Sequence, residues 1–442
     1  MHKAQHIVIV GAGLVGSMLA LYLVRRGYRV QVYERRADMR KAGYDHGRSI
    51  NLALSNRGLA ALHELGLEET IRATTVAMKG RMMHALDGTL SYLPYGTEGQ
   101  YINSVSRSGL NLTLLDAAER AGVEFHFEHR CQRVNLEQTE AQFEHHGPLV
   151  MAQGDILLGT DGAFSAVRGA FQLTDRFNYS QTFIDHAYKE LTIPADQGTF
   201  RMESHALHIW PRESYMLIAL PNPGGDFTCT LFYPAEGPQS FAQLHTKEQV
   251  DAFFRKQFPD AHALMPALTD EFMKNPTSSL LTVRCFPWVR NHAALLGDAA
   301  HAILPFFGQG MNAGFEDCRV LNQLLDEHHD EWDAVLPVFQ QLRKVDADAI
   351  AQLAYDNFIE MRDLVADPEF LLRKKIEAHL HKLFPDRWIP LYSMVTFHEH
   401  MRYSEALATG RKQQAIMDEV MRTKDLDTRW TALDFAGIVA RL

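Results

Sequence analysis

At 442 residues, with 46% hydrophobic and 22% charged side chains, the chain is long enough for about two or three domains with sizeable cores. A formal net charge of −10 leaves no broad basic field on the surface, which argues against nucleic acid as a partner. No apolar run approaches the roughly 20 residues of a transmembrane helix, and the four cysteines form no C-x-x-C pair, so the expectation is a soluble cytoplasmic protein without a secretory signal, zinc knuckle or redox dithiol.

In chain order, residues 6–34 read as strand, turn, helix, strand. The apolar run Ile7-Val8-Ile9-Val10 precedes a glycine-rich turn, the segment 14–26 has helical apolar spacing, and 29–33 alternates as a strand. Residues 109–121 read as a helix leading to a strand over 123–127, which continues an α/β layer. Between 186 and 233 the pattern changes to short β-type runs, 206–210, 215–220 and 227–233, separated by Pro- and Gly-containing turns, as in an antiparallel sheet. A strand at 293–296 returns the chain to the α/β layer, and most of 311–442 has helical spacing.

The first motif is Gly11-Ala12-Gly13-Leu14-Val15-Gly16, placed after a strand and opening a helix. Its first glycine permits the tight turn, the second lets backbone approach a pyrophosphate, and the third lets helix and strand pack closely. Glu34 and Arg35, both candidate cofactor contacts, close the next strand, where a carboxylate can accept hydrogen bonds from an adenosine ribose. A plain βα turn with a solvated glutamate is the competing reading, and the motif alone does not separate FAD from NAD.

Two further segments resemble the flavoprotein aromatic hydroxylases. One is 155–168 around Asp161-Gly162, a turn that family associates with both FAD and the pyridine nucleotide. The other is 294–312, in which the resemblance puts Asp298 beside the ribityl and pyrophosphate region and the backbone of Gly310, Met311 and Asn312 against the flavin. Within this superfamily the segments 47–55, 207–211, 218–222, 305–317 and 391–397 are similar to the kynurenine 3-monooxygenases. That resemblance implies FAD contacts at Val15, Glu34, Ala53, Arg107, Asp298, Met311 and Asn312. It implies substrate contacts at Arg81, Tyr95, Asn357 and Tyr392; Leu220, Phe232, Phe306 and Phe307 are candidates for an apolar wall, with an ordinary core role as the competing reading. Taken singly, Arg81 reads as a surface cation and the two tyrosines as packing residues.

The resemblance further implies an α/β fold: a Rossmann-like FAD-binding domain (1–75, 100–182 and 277–375), a substrate domain with an antiparallel sheet (76–99 and 183–276) and a C-terminal helical region (376–442). FAD would be bound tightly and non-covalently. NADPH would be a transient co-substrate, since no second G-x-G-x-x-G follows a strand. The implied reaction is the NADPH- and O2-dependent conversion of L-kynurenine to 3-hydroxy-L-kynurenine in tryptophan degradation, through a flavin C4a-hydroperoxide. No catalytic protein side chain is assigned, because the flavin carries the oxygen transfer. No metal is expected, and His301 reads as part of the flavin-site turn. A flavin monooxygenase acting on a different aromatic acid is the alternative. The long apolar tail of membrane-anchored family members is not found, and the sequence diverges after Phe397.

Overall fold

The computed structural model describes residues 5–41, 51–96, 99–360 and 367–442. Residues 47–50 of the stretch 47–55 lie outside the described residues, as do Thr97 beside Tyr95 and Met361 beyond Asn357.

A six-stranded sheet runs in the order Val289–Arg290, Ala293–Leu295, Ile156–Gly159, His6–Val10, Arg29–Tyr33 and Glu124–His126. All its pairings are parallel except the first. Its central strands are near-continuous apolar runs because both faces are covered, and Ile7, Val8 and Ile9 are completely buried. The helices Leu14–Arg25, Arg107–Arg120 and Gly310–Glu327 belong to the same core. The strand His6–Val10 has Arg29–Tyr33 on one side and Ile156–Gly159 on the other. Its carboxyl end therefore opens at a topological switch point, where ligands bind in such sheets.

A seven-stranded sheet follows the order Ser278–Phe286, Asn178–Ile193, Phe227–Pro234, Tyr215–Pro221, Ala206–Arg212, Gly80–His84 and Leu90–Pro94. It is antiparallel apart from the parallel pairing of Gly80–His84 with Ala206–Arg212. Strand alternation sorts its side chains into two cores. Tyr215, Leu217, Ala219, Phe227, Cys229 and Leu231 face the helices Lys247–Gln257, Pro259–Leu264 and Leu268–Lys274. Met216, Leu220 and Phe232 face the opposite way. That second face meets the helix Trp332–Ile359 and the short helix Leu391–Phe397.

A small antiparallel sheet, Asn51–Leu54, Ile102–Ser106 and Thr75–Met78, sits where the two larger layers meet. There Met78, Ile102, Tyr95, Leu220 and Phe397 form a compact cluster, with Ala53 and Tyr392 packed against it. Among the described residues, no helix is long and apolar enough to cross a membrane.

Candidate active site

The glycine turn is built as its spacing requires. Gly11 has φ +103°, and a Cβ there would lie 2.7 Å from the Thr160 carbonyl oxygen. A Cβ on Gly16 would lie 1.9 Å from the Gly11 carbonyl oxygen, so this glycine is what lets the helix approach the strand. Gly13 differs: a Cβ there would meet nothing within 4 Å. The open space lies at the helix N-terminus, where backbone N–H groups favour phosphate. Thr160 ties the turn down through its hydroxyl to the carbonyls of Val10 (3.0 Å) and Gly11 (2.9 Å), and Asn111 Nδ2 donates to the Ala12 carbonyl (3.1 Å).

Glu34 is buried at the end of its strand. Its Oε2 accepts from the Ala12 amide at 2.9 Å, and its Oε1 accepts from Arg36 through both the backbone amide and Nε. Burial alone would raise its pKa, but the Arg36 contacts outweigh that and lower it, so the carboxylate is anionic at neutral pH. The cation beside Glu34 is Arg36, whereas the neighbouring Arg35 is exposed.

The two loops expected around the cofactor converge on this turn. Asp161 Cα would lie 2.9 Å from a Cβ on Gly11, which places the Asp161-Gly162 turn beside the first glycine. The Asp161 carboxylate is directed into its own loop, accepting from Ser165 Oγ (2.5 Å) and the amides of Ala166 (2.6 Å) and Val167 (3.2 Å). Gly162 has φ +84°. Across the site, Gly297 and Gly314 both receive the Val15 side chain, with Cβ positions 3.0 and 2.5 Å from Val15 Cγ2. Asp298 follows, exposed, at the start of the short helix Asp298–His301. Arg107 opens the helix Arg107–Arg120 and is also exposed.

The helix Gly310–Glu327 begins without a side-chain cap, which leaves the first amides at Gly310, Met311 and Asn312 for a ligand. Its N-cap residue Gln309 is buried and accepts a hydrogen bond from the Tyr403 hydroxyl at 2.9 Å. The Asn312 side chain is fully committed within the protein. Its Oδ1 accepts from the Ser55 amide (3.0 Å), and its Nδ2 donates to the carbonyls of Ala53 (2.8 Å) and Gly308 (2.9 Å). Asn312 thus offers a ligand its backbone N–H, not its amide. An open phosphate cradle, a buried acidic residue and an uncapped helix start together fit a bound FAD.

Beside this cradle, residues remote in sequence meet around one guanidinium. Arg81 lies over the Tyr392 ring at 4.4 Å and the Tyr95 ring at 5.3 Å, and the two rings stack at 5.6 Å. Burial disfavours the Arg81 charge, but the oxygens of Tyr392 and Tyr95 more than compensate. Among the described residues the buried Tyr95 hydroxyl makes no hydrogen bond of good geometry, although it lies beside the Arg81 guanidinium. Phe307 stacks on Tyr392 at 5.4 Å, and Leu220 packs in the same cluster as Tyr95. An adjoining group consists of Phe306, 5.0 Å from Phe232 and 4.7 Å from Phe358, with its carbonyl held by Asn357 Nδ2 at 2.7 Å.

Sequence reasoning did not single out the buried charges behind the cofactor loops. Asp317 accepts from the Gly297 amide (2.9 Å), His301 Nε2 (2.6 Å) and Arg343 Nε (2.7 Å). Arg343 also donates to Glu316 at 2.6 Å, and Glu316 accepts from Arg57 at 2.7 Å. His301 therefore acts behind the Gly297-Asp298 turn, stacked on Trp288 at 5.1 Å. The pairs Glu316-Asp317 and Arg57 sit in helices otherwise patterned for burial, and an ionic side chain at an apolar position is the only signal the sequence offers.

A dinucleotide cradle at a Rossmann switch point, roofed by an antiparallel sheet bearing aromatic residues, defines an FAD-dependent oxidoreductase of the aromatic-hydroxylase type. The model of the FAD binding domain family matches residues 4–336. The fold is shared with the crystallised 2-methyl-3-hydroxypyridine-5-carboxylic acid oxygenase, with TM-score 0.67 at 18% identity over 84% of this chain and 96% of that one. The kynurenine 3-monooxygenase of Flavobacterium psychrophilum is 48% identical over 97% of this chain and 96% of its own length, and that of Myxococcus xanthus is 48% identical over 97% and 94%. The chain belongs to the kynurenine 3-monooxygenase family. It is an enzyme that hydroxylates an aromatic substrate with FAD.

Proposed function

We propose that the substrate is L-kynurenine and the product 3-hydroxy-L-kynurenine. The observation that carries this reading is Arg81, a cation lying against a stacked pair of tyrosine rings and in no ion pair with a carboxylate among the described residues. A guanidinium fork in that setting matches an amino-acid carboxylate, which it can bind bidentately. The buried Tyr95 hydroxyl offers a further directional contact, and Leu220, Phe307, Phe306 and Phe232 supply apolar surface for the aryl ring.

FAD, when bound, supplies electron transfer from NADPH and activation of O2. Gly11, Gly13 and Gly16 would hold its pyrophosphate, Glu34 its ribose and Asp298 its ribityl chain. Val15, Ala53, Arg107, Asp161 and Gly162 would border the cofactor, and the amides of Gly310, Met311 and Asn312 would stabilise negative charge on the flavin ring. Arg81, Tyr95, Tyr392 and Asn357 orient the substrate. The ring amino group already donates electron density to the carbon ortho to it, so no protein base is needed. L-Kynurenine, NADPH, O2 and a proton yield 3-hydroxykynurenine, NADP+ and water. In this reading residues 1–75, 100–182 and 277–375 hold the cofactor, 76–99 and 183–276 roof the substrate, and 376–442 close the site from the helical side in a cytoplasmic enzyme.

The test is binding of L-kynurenine against its decarboxylated analogue, kynuramine, by flavin fluorescence titration. Loss of a bidentate charged contact should weaken affinity about 100-fold, near 3 kcal/mol. Equal affinities would show that Arg81 does not read a carboxylate.

A further inference from the structure

We propose that Arg57 is a positioning residue for substrate recognition that acts through Tyr392. The inference rests on the assignment of Arg81 and Tyr392 to the substrate site. Arg57 is 1% exposed and follows directly from the strand Asn51–Leu54, which carries Ala53, and from Ser55, whose amide is bound to Asn312. Its guanidinium points away from the cofactor strand and across to the C-terminal region. Nε donates to the Val395 carbonyl at 3.0 Å, and Nη2 donates to the carbonyls of His398 (3.3 Å) and Met401. These are carbonyls at the end of the helix Leu391–Phe397 and in the turn beyond it, groups that a helix leaves without intrahelical partners. The preceding residue adds a parallel link, Asn56 Nδ2 to the Phe397 carbonyl at 3.1 Å.

Tyr392 is the second residue of that helix, and its ring supports the Arg81 guanidinium. Fixing the carboxyl end of so short a helix fixes its amino end as well. Arg57 is itself held on its other side: Nη1 donates to Glu316 Oε1 at 2.7 Å, and its guanidinium lies 4.1 Å over the Tyr403 ring. Glu316 lies on the helix whose first amides face the cofactor. One planar fork therefore sets the position of the Tyr392 helix relative to the cofactor-binding strand and helix. A lysine could keep the ion pair with Glu316 but could not span the several carbonyls, because its donors radiate from a single atom.

The experiment is Arg57→Lys in the FAD-loaded full chain, with Asn56→Ala as a milder companion. Arg57→Lys is expected to retain flavin and circular dichroism, to raise the kynurenine Kd and KM on the order of ten-fold, and to leave kcat at saturation within about two-fold. In a Tyr392→Ala background, which removes the ring itself, the same substitution should cost far less, since residues acting through one contact are not additive. Arg57→Lys binding kynurenine like the parent, or losing the same factor in both backgrounds, overturns the proposal. Should Arg57→Lys lose flavin, Asn56→Ala decides: a KM rise of about two- to three-fold supports the role, and an unchanged KM overturns it. Should the parent bind no kynurenine, the substrate assignment has failed, and amide hydrogen exchange across 391–397 still judges the positioning role. Faster exchange in Arg57→Lys supports it, and unchanged exchange overturns it.

Discussion

At the scale of single residues, the contrast between spent and unspent polar groups separates support from recognition. Asn312 uses every polar atom of its side chain within the protein, so its role toward a ligand passes through the backbone. Tyr95 has a buried hydroxyl beside the Arg81 guanidinium that makes no hydrogen bond of good geometry among the described residues, an arrangement a ligand can improve. Tyr95→Phe removes an oxygen that also stabilises the buried Arg81 charge, so it should weaken kynurenine binding about five- to ten-fold without raising the thermal midpoint of the ligand-free protein. Calorimetry and titration of the same sample check both outcomes. Arg81→Lys keeps the charge but removes the fork, and should raise the kynurenine KM at least ten-fold, read from initial rates.

Legibility at this scale follows distance along the chain. Gly11, Gly13, Gly16 and Glu34 form a local unit, and each occupies the position its spacing implies. The meeting of Arg81 with Tyr392 was accessible only through family resemblance, since nothing local in either segment points to the other. Arg57 escaped notice altogether, because its carbonyl partners lie 338 to 344 residues away and belong to backbone that any sequence could supply.

At the scale of elements, the glycine turn gives the sharpest separation between folding and binding. Gly11→Ala places a side chain against backbone at a positive φ, so it should destabilise the fold and lower the yield of soluble protein. Gly13→Ala meets nothing within 4 Å. It should leave the apoprotein's thermal midpoint unchanged yet weaken FAD retention, measured by apoprotein reconstitution, because the added methyl occupies the phosphate cradle. Loss of apoprotein stability in Gly13→Ala would contradict that reading. The βαβ opening, the antiparallel runs over 206–233 and the helical C-terminal part were legible from periodicity. The meander Arg130–Asn135, Glu140–Glu144 and Leu149–Gln153 was not, because most of its residues are partly or fully exposed and only its five-residue middle strand alternates cleanly, burying Ala141 and Phe143.

At the scale of the whole molecule, the buried ions couple the layers. Asp317 is completely buried; burial would raise its pKa, yet His301 and Arg343 hold it down to about 2. A carboxylate depressed in the folded state contributes stability that is fully present above its unfolded value near 4 and is lost as pH falls through about 2. Urea unfolding should accordingly show the parent losing stability between about pH 4 and 2. Asp317→Asn should be less stable at neutral pH by about 3–5 kcal/mol, since Arg343 loses a buried partner, and should show a shallower acid slope. The seven-stranded sheet, the Rossmann layer and the C-terminal helices share few local signals, and their arrangement around Arg81 emerges only when the chain is folded.

The most direct test of the account is NADPH oxidation by the FAD-loaded enzyme with and without L-kynurenine, with the product identified by mass spectrometry and its substitution position by NMR. The account predicts strong stimulation and a product one oxygen heavier, hydroxylated ortho to the ring amino group. Absence of stimulation, or stimulation that yields only hydrogen peroxide, would contradict it.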